Sequence, residues 1–421
     1  MLLTMLSIMV SSFALSVPIA IALGLAGLIG MVFFTNLPLL IFAQQLFTSL
    51  DKFPLVAVPL FILAGNIMEV GGISRRFLEV AKALVGGIRG GLGASCVITC
   101  MIFAAVSGSG VATTFAVGAI MIPALVANGY PRRFSAALQA SSAELGVIIP
   151  PSIPMILYAV SAEVSVGDLF IAGIGPGFLI ASALILTVLI WARLRPGKIE
   201  QDLQRIPLHV ALFQAGPSLM MPVIILGGIY GGVFTPTEAA AVAVFYALFV
   251  GVVLHREVTL PDLFVILRKS VRSTASIMLI IAAAGAFSFI INRAGIPATV
   301  GLWLAENMGS QMMFLIGINI ALFLIGMFLE TSASIIILTP ILLPVALHFG
   351  VDPIHFGVIC VVNLALGMIT PPFGVNLFAA CQVAQISVHR IMAPLLVFVS
   401  VVAACLLLVT YLPPISLFLI R

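Results

Sequence analysis

The chain has 421 residues, of which 62% are hydrophobic and only 8% are charged, and its formal net charge at pH 7 is +4. Because a soluble domain carries about 25% charged residues, this composition excludes a soluble globular protein and indicates an all-α protein that crosses a membrane many times. The basic residues lie in short loops, which favours membrane orientation over nucleic-acid binding. The sequence contains no HExxH, GxSxG or Walker A motif, so it does not indicate an enzyme.

The first apolar run, residues 1–34, contains no charged residue. As one helix it would be about 51 Å long, which is too long for one upright crossing. We favour two short crossings with Pro18 near the second and an external N-terminus, because the corresponding residues 216–254 also resemble two crossings. The alternative is one long tilted helix with an internal N-terminus.

The basic residues gather in a few loops, and the positive-inside rule places these loops in the cytoplasm. The opposite loops, residues 163–168 and 231–237, are poor in basic residues and are predicted to be external. Lys52 and Arg293 are exceptions that lie at segment ends. The predicted cytoplasmic residues are Arg75, Arg76, Lys82, Arg89, Arg132, Arg133, Arg193, Arg195, Lys198, Arg256, Arg268, Lys269, Arg272 and Arg390.

An uncharged segment of 38 residues, Leu92 to Gly129, lies between two of these cytoplasmic loops. Two full crossings would need about 40 residues plus a turn, so the segment is too short for them. The sequence Ser107-Gly108-Ser109-Gly110 stands near its middle. We therefore predict a re-entrant hairpin that enters from the cytoplasm and turns within the membrane.

A second segment, Ser310 to Gly350, has the same organisation, with a polar tip at Glu330 to Ser334. Its flanks are not basic, so this hairpin is predicted to enter from the outside. A short amphipathic segment precedes each hairpin, Ile73 to Val85 and Ile296 to Met308. These segments are predicted to be interfacial helices on opposite faces of the membrane.

Each hairpin is followed by a segment interrupted by a double proline, at Pro150-Pro151 in Ser141 to Val160 and at Pro371-Pro372 in Val362 to Ala380. A double proline removes two amide donors and forces the preceding residue out of a helix. Broken helices at corresponding places of two halves indicate a transporter's binding site. The sequence thus predicts an inverted repeat with two re-entrant hairpins and two broken helices.

Polar groups near the tips and breaks are the candidate ligands, because broken helices offer free carbonyl groups to a cation and free amides to an anion. Two intramembrane carboxylates stand beside them, since Glu144 lies one turn before the first break and Glu330 opens the second tip. Either could contact an ion, and Glu330 could instead cap the tip amides. The side chains that could serve are Ser107, Ser109, Thr113, Thr331, Ser332, Ser334 and Asn376.

Five stretches in their joint order resemble the large membrane subunit of TRAP (tripartite ATP-independent periplasmic) transporters: SGSGVAT, LGVIIPPSIPMILY, GGVFTPTEAAAVAVFYAL, ILTPILLPV and GMITPPFGVN. The resemblance implies an elevator-type transporter in the bacterial inner membrane, driven by inward Na⁺ movement. Its partners would be a four-helix small membrane subunit and a periplasmic substrate-binding protein. The substrate would be an organic acid, such as a C4-dicarboxylate, a sialic acid or another sugar acid.

The resemblance also implies two Na⁺ sites, each formed by one tip and one break, and the tips and breaks together would hold the substrate. The first tip reads Ser-Gly-Ser where related dicarboxylate/Na⁺ symporters are expected to show Ser-Asn-Thr, so backbone carbonyls should be the main Na⁺ ligands. The first Na⁺ site would comprise Ser107, Gly108, Ser109, Gly146 and Pro150, and the second Thr331, Ser332, Gly367 and Thr370. The substrate would contact Ser109, Thr113, Ser152, Ser334 and Asn376.

The predicted organisation has five parts. A mobile transport unit would slide against a fixed scaffold. The five parts are a first scaffold with its interfacial helix (1–91), the first hairpin and broken helix (92–163), a linking span with the second scaffold and interfacial helix (164–309), the second hairpin and broken helix (310–384), and a C-terminal span (385–421).

The alternative function for the chain is a stand-alone Na⁺/anion symporter or antiporter that needs no binding protein.

Overall fold

The computed structural model describes residues 1–85, 87–194, 206–296, 299 and 309–420. Within these ranges the chain is helical and contains no strand, which confirms the all-α prediction. Among the described residues, eight helices are long and apolar enough to cross a membrane, or nine when the bent pair Arg132–Ile148 and Ile153–Ala162 is counted as one span.

The first half contains eleven α-helices and a 3₁₀ turn at Phe53–Val56 that leads into the fourth helix. The helices are α1 (Leu2–Ala14), α2 (Ile19–Phe34), α3 (Leu39–Thr48), α4 (Ala57–Val70), α5 (Ile73–Val85), α6 (Gly91–Ser107), α7 (Gly110–Ala127), α8 (Arg132–Ala143), α9 (Leu145–Ile148), α10 (Ile153–Ala162) and α11 (Val166–Leu194).

The second half contains nine described α-helices and a π-helical turn at Phe249–Leu254. The helices are α12 (Leu208–Tyr230), α13 (Pro236–Leu248), α14 (Leu260–Arg293), α15 (Gln311–Gly326), α16 (Thr331–His348), α17 (Pro353–Gly367), α18 (Val375–Ala384), α19 (Val388–Tyr411) and α20 (Pro414–Leu417).

The N-terminal run forms two helices, α1 and α2, which pack against each other. The chain turns between them at Ser16, which has a positive φ of 60°, and Pro18 is the N-cap of α2. The alternative of one long helix is therefore wrong. The external position of the N-terminus stays a prediction.

Both predicted helical hairpins are formed, and the first turns at the predicted residues. Helix α6 ends at Gly108, whose φ of 60° lies in the left-handed region that favours glycine, and the Ser109 side chain caps the start of α7. In the second hairpin the turn lies earlier than predicted. Residues 327–330 form it, and Thr331 to Ser334 already belong to the first turn of α16.

Both predicted breaks are also present. Residues 149–152 separate α9 from α10, and residues 368–374 separate α17 from α18. The double proline in each break contains a cis peptide bond. The first predicted interfacial helix is formed as α5, whereas most of the second, Ile296 to Met308, lies outside the described residues.

The two repeats interlock through their broken helices. Helix α10 of the first repeat packs against α16 of the second hairpin, and α18 of the second repeat packs against α7 and α8 of the first. The Tyr158 hydroxyl in α10 donates to the Pro353 carbonyl at the start of α17 (2.6 Å). Each break is thus supported by the opposite repeat.

A second group of helices, α2, α4, α12, α13 and α14, forms neighbouring pairs beside this body. Helix α4 also contacts α6, and α14 contacts α16. The long helices α11 and α19 pack against the hairpins and broken helices, so they belong by contact to that body. The five-part division of the chain stays a prediction.

Candidate functional site

The first tip touches the first break through backbone atoms. The Ile153 amide donates to the Gly108 carbonyl (3.4 Å). A Cβ added at Gly108 would lie 2.8 Å from the Pro151 carbonyl oxygen, closer than real Cβ contacts come. Only glycine therefore allows both this conformation and this approach.

The hydroxyl groups of this tip face the segment before the break. The Thr113 hydroxyl donates to the Ser109 carbonyl (2.8 Å) and lies 3.0 Å from the Ser107 hydroxyl oxygen. A Cβ at Gly146 would come within 2.7 Å of both Ser109 O and Thr113 Oγ1. The structure thus brings together most of the predicted first Na⁺ site, with Pro150 next to Pro151 in the break.

The second tip and break meet in the same way. The Phe373 amide donates to the Met327 carbonyl (3.1 Å), and the Thr331 hydroxyl lies 2.9 Å from Met368 Sδ. Gly367 packs directly against the backbone of Gly326. Of the predicted second Na⁺ site, Thr331 and Gly367 are therefore brought together. The Thr370 hydroxyl donates within its own turn, to the Leu366 carbonyl (2.9 Å).

Glu330 caps the start of α16. One of its carboxylate oxygens accepts hydrogen bonds from the amides of Ser332 (2.9 Å) and Ala333 (3.2 Å), and the other accepts from the Ser332 hydroxyl (2.9 Å). These bonds satisfy helix N-terminal donors that would otherwise be orphaned in an apolar environment. The capping alternative for Glu330 agrees with the structure, and the Ser332 side chain is engaged in the same arrangement.

Asn376, at the start of α18, connects the two repeats. A Cβ at Gly110 would lie 2.6 Å from Asn376 Nδ2, so the amide side chain lies directly against the first tip. Asn376 is fully buried, and neither polar atom of its side chain has a hydrogen-bond partner among the described residues. The buried Ser334 hydroxyl is unpartnered in the same sense. Because buried polar atoms are normally paired, these groups are available to a ligand.

The other predicted substrate contacts differ in their surroundings. Ser152 donates to the Val147 carbonyl (2.5 Å) and caps α10, so it is engaged in shaping the break. The Thr113 side chain is engaged in the first tip. Ser109 remains partly exposed and lines a cavity.

That cavity, of about 520 Å³, separates the first tip from helices α4 and α14. Its tip wall includes Ser107 and Ser109, and its opposite wall includes Asn66, Glu69, Lys269 and Ser273. Lys269 and its neighbours on α14 are among the residues that the positive-inside rule places in the cytoplasm. The first tip is thus reached from the predicted cytoplasmic side.

A second cavity, of about 500 Å³, lies between the same two groups of helices on the opposite side. On α16 its lining begins at Ile336, so it does not include the second tip. Lys52 also lines it and donates to the Val160 carbonyl at the end of α10 (3.1 Å). The first tip is therefore reached from the first cavity, whereas the second tip lines neither of the two cavities.

Glu144 is fully buried, and neither of its carboxylate oxygens has a hydrogen-bond partner among the described residues. An ionised carboxylate in this position would carry a large desolvation cost. The group therefore carries a proton or contacts a cation.

A buried chain of polar side chains, not predicted from the sequence, lies beside the second break. The Asn363 side-chain amide donates to Asn319 Oδ1 (2.7 Å), and Asn319 donates to the Thr410 hydroxyl (3.2 Å). His355 continues the chain, with Nε2 3.2 Å from the Thr410 carbonyl oxygen and Nδ1 2.7 Å from the Ser416 hydroxyl. Asn319 and Asn363 could have indicated it, because asparagines within apolar membrane spans are costly unless they are paired.

Among the described residues, no group of three or more His, Cys, Asp or Glu side chains could hold a metal ion. The tips and breaks instead present hydroxyl and backbone carbonyl oxygens, which are hard ligands suited to a cation such as Na⁺. The donor types at both tip–break pairs therefore fit this ion.

The family profile described as "Tripartite ATP-independent periplasmic transporter, DctM component" matches residues 6–415. The chain belongs to the DctM family. This confirms the family that the motifs predicted. It also makes the chain a multi-pass inner-membrane transporter component rather than an enzyme.

Two relatives are similar to this DctM-family chain over nearly its whole length. It is 44% identical over 404 residues to the isethionate TRAP transporter permease protein DctMQ of Oleidesulfovibrio alaskensis, covering 96% of this chain but only 64% of that relative. It is 40% identical over 417 residues to the C4-dicarboxylate TRAP transporter large permease protein DctM of Rhodobacter capsulatus, covering 95% and 94%.

The fold also resembles a solved transporter. The structure of MtrF from Neisseria gonorrhoeae, described as representing a class of antimetabolite efflux pumps, aligns with a TM-score of 0.62 over 93% of this chain and 92% of that chain. The sequence identity is 16%, so the likeness shows the fold alone.

Proposed function

We propose that this DctM-family chain imports an organic anion by Na⁺-coupled transport. The observation that carries the proposal is that the buried, unpartnered side chain of Asn376 from the second repeat lies directly against Gly110 of the first tip. The two relatives are named for isethionate and C4-dicarboxylates, which are both small organic anions. A carboxylate or sulfonate held by amides and hydroxyls is the substrate class that these groups suit.

The two tip–break pairs would hold Na⁺. Ser107, Gly108, Ser109 and the Gly146–Pro150 segment would provide carbonyl and hydroxyl oxygens at the first site. Thr331 and the Gly367–Thr370 segment would provide them at the second, with Ser332 beside Glu330. Bound Na⁺ would supply positive charge beside the substrate, where the tips and breaks have no basic side chain.

An elevator movement would carry the site across the membrane. Each tip is bonded to its own break, so a rocking opening at one face would disrupt these contacts, whereas sliding the whole body would preserve them. The cavity beside Ser107 and Ser109 corresponds to an inward-open arrangement. Helices α11 and α19 would move with the hairpins because they pack against them.

A four-helix small membrane subunit and a periplasmic binding protein would be the partners, as the family assignment suggests. The test is uptake into proteoliposomes of radiolabelled isethionate, succinate and sialic acid, with the small subunit and the binding protein encoded beside this chain. We expect uptake of one of these anions to require both the binding protein and an inward Na⁺ gradient. Uptake without the binding protein would favour the stand-alone symporter or antiporter, and full uptake with a proton gradient alone would contradict Na⁺ coupling.

A further inference from the structure

We infer that Lys269 binds the acid group of the departing anion in the cavity beside the first tip, in exchange for Glu69. The inference rests on the proposed function for the identity of the anion. Its starting point is a juxtaposition that the sequence does not show. Lys269 on α14 and Ser109 on the first tip, 160 positions apart, line one cavity of about 520 Å³.

The charges lining this cavity single out Lys269. Among the described lining residues, the charged side chains are Glu69 and Lys269, and the other polar ones are Asn66, Ser107, Ser109 and Ser273. An anion that leaves the first tip toward the cytoplasm therefore enters a space with one cationic side chain. Within this lining, Lys269 is therefore the side chain with which an acid group can form an ion pair once Glu69 gives way.

The resting partner of Lys269 can be exchanged. The Lys269 ammonium lies 2.7 Å from a Glu69 carboxylate oxygen, and the two side chains are 54% and 25% exposed. Ion pairs of such exposure contribute little to stability, because water screens them and the side chains lose entropy. A carboxylate or sulfonate arriving from the tip can therefore replace Glu69.

The backbone that carries this pair is held firmly. The Asn66 side-chain amide donates to the Ser270 hydroxyl (2.9 Å), and both residues are buried between α4 and α14. Glu69 lies one turn beyond Asn66, and Lys269 directly precedes Ser270. Only the two charged side chains need to move when partners exchange.

The exchange serves release rather than tight binding. Lys269 attracts the anion away from the tip, and Glu69 then competes for the ammonium and displaces the anion into the cytoplasm. Removing Lys269 should slow release. Neutralising Glu69 should make the anion dwell longer. Removing Lys269 and neutralising Glu69 should both lower the turnover rate of transport. The first change should decrease the cavity's preference for anions over cations, and the second should increase it.

The test measures that preference directly with Ser109→Cys as a reporter. The full chain, purified with its small subunit, is treated with an anionic and a cationic methanethiosulfonate reagent, and the ratio of the two reaction rates is recorded. The five native cysteines are buried, so the chain without the reporter gives the background. From the Coulomb interaction of one unit charge across hydrated space, we expect Lys269→Ala to lower the ratio by roughly threefold and Glu69→Gln to raise it by roughly threefold.

Two variants serve as controls. Lys269→Arg retains the charge and should retain the ratio. Arg268→Ala removes the neighbouring charge on α14, which does not line the cavity, and should change the ratio much less than Lys269→Ala. An unchanged ratio in Lys269→Ala, or equal effects of Lys269→Ala and Arg268→Ala, would overturn the inference.

Transport supplies the second measurement. Lys269→Ala and Glu69→Gln should each lower the maximal uptake rate about fivefold or more, with little change in the half-saturating concentration of loaded binding protein. A changed reagent ratio with unchanged maximal uptake would also overturn the role in release. If the proteoliposomes take up none of the anions offered, the proposed function fails, and the reagent ratio still decides whether Lys269 controls the cavity's charge.

Discussion

Gly146→Ala tests how closely the first tip must approach the first break. The added Cβ would lie 2.7 Å from Ser109 O, 2.7 Å from Thr113 Oγ1 and 2.9 Å from the Ser109 carbonyl carbon. Two of these atoms are backbone, so the tip itself must withdraw by several tenths of an ångström. Such overpacking in a close-packed core costs about 1–3 kcal/mol.

This free-energy cost destabilises the contact between the first tip and the first break, which would form the first Na⁺ site. If the variant relaxes by separating the tip from the break, the same 1–3 kcal/mol lowers the occupancy of the assembled site by about 5- to 150-fold, since about 1.4 kcal/mol corresponds to a tenfold change. We therefore expect Na⁺-dependent uptake to fall at least about fivefold at limiting Na⁺, with partial recovery at high Na⁺.

The assay is initial uptake in proteoliposomes as a function of Na⁺ concentration, with thermal unfolding in detergent measured alongside. Gly227→Ala on α12 is the matched control, because an added Cβ there has no atom within 4 Å. The control should behave like the parent chain. A Gly146→Ala protein with parental uptake and an unchanged half-saturating Na⁺ concentration would refute the reasoning.

Three further predictions concern polar side chains of the same body. Asn376→Ala should reduce uptake about tenfold or more while changing the melting temperature little, because its side-chain atoms have no hydrogen-bond partner among the described residues; a large loss of stability would show a structural role instead. Glu330→Ala should destabilise the second tip by about 1–2 kcal/mol, because the amides of Ser332 and Ala333 lose their hydrogen bonds to the carboxylate. Thermal unfolding and the rate of proteolysis at the tip measure this effect, and unchanged values of both would contradict the capping role. Glu144→Gln should retain folding and most uptake because the carboxyl has no partner among the described residues that requires a charge; loss of Na⁺-dependent uptake in a folded protein would show that its carboxylate contacts the cation.

The sequence by itself determined the local structure of the transport body. The uncharged 38-residue segment was too short for two crossings, so it had to turn within the membrane, and Gly108 permits that turn through its positive φ. The double prolines end helices wherever they occur, because they lack amide hydrogens. The matching hairpins and double-proline breaks in the two halves indicated the repeat. These features depend on neighbours in the chain, so they could be predicted without the fold.

Only the tertiary structure decided which distant groups meet. Asn376 lies against Gly110 because α18 packs on the opposite repeat's hairpin, and Lys269 lines the same cavity as Ser109 because α14 stands beside the first tip. The capping role of Glu330 likewise depended on where α16 begins, four residues after the tip turn opens at residue 327. In a membrane both lipid-facing and buried positions are apolar, so hydrophobic periodicity does not tell which face of a helix packs against which neighbour. The contacts that build the site therefore follow from helix packing, which the linear sequence does not display.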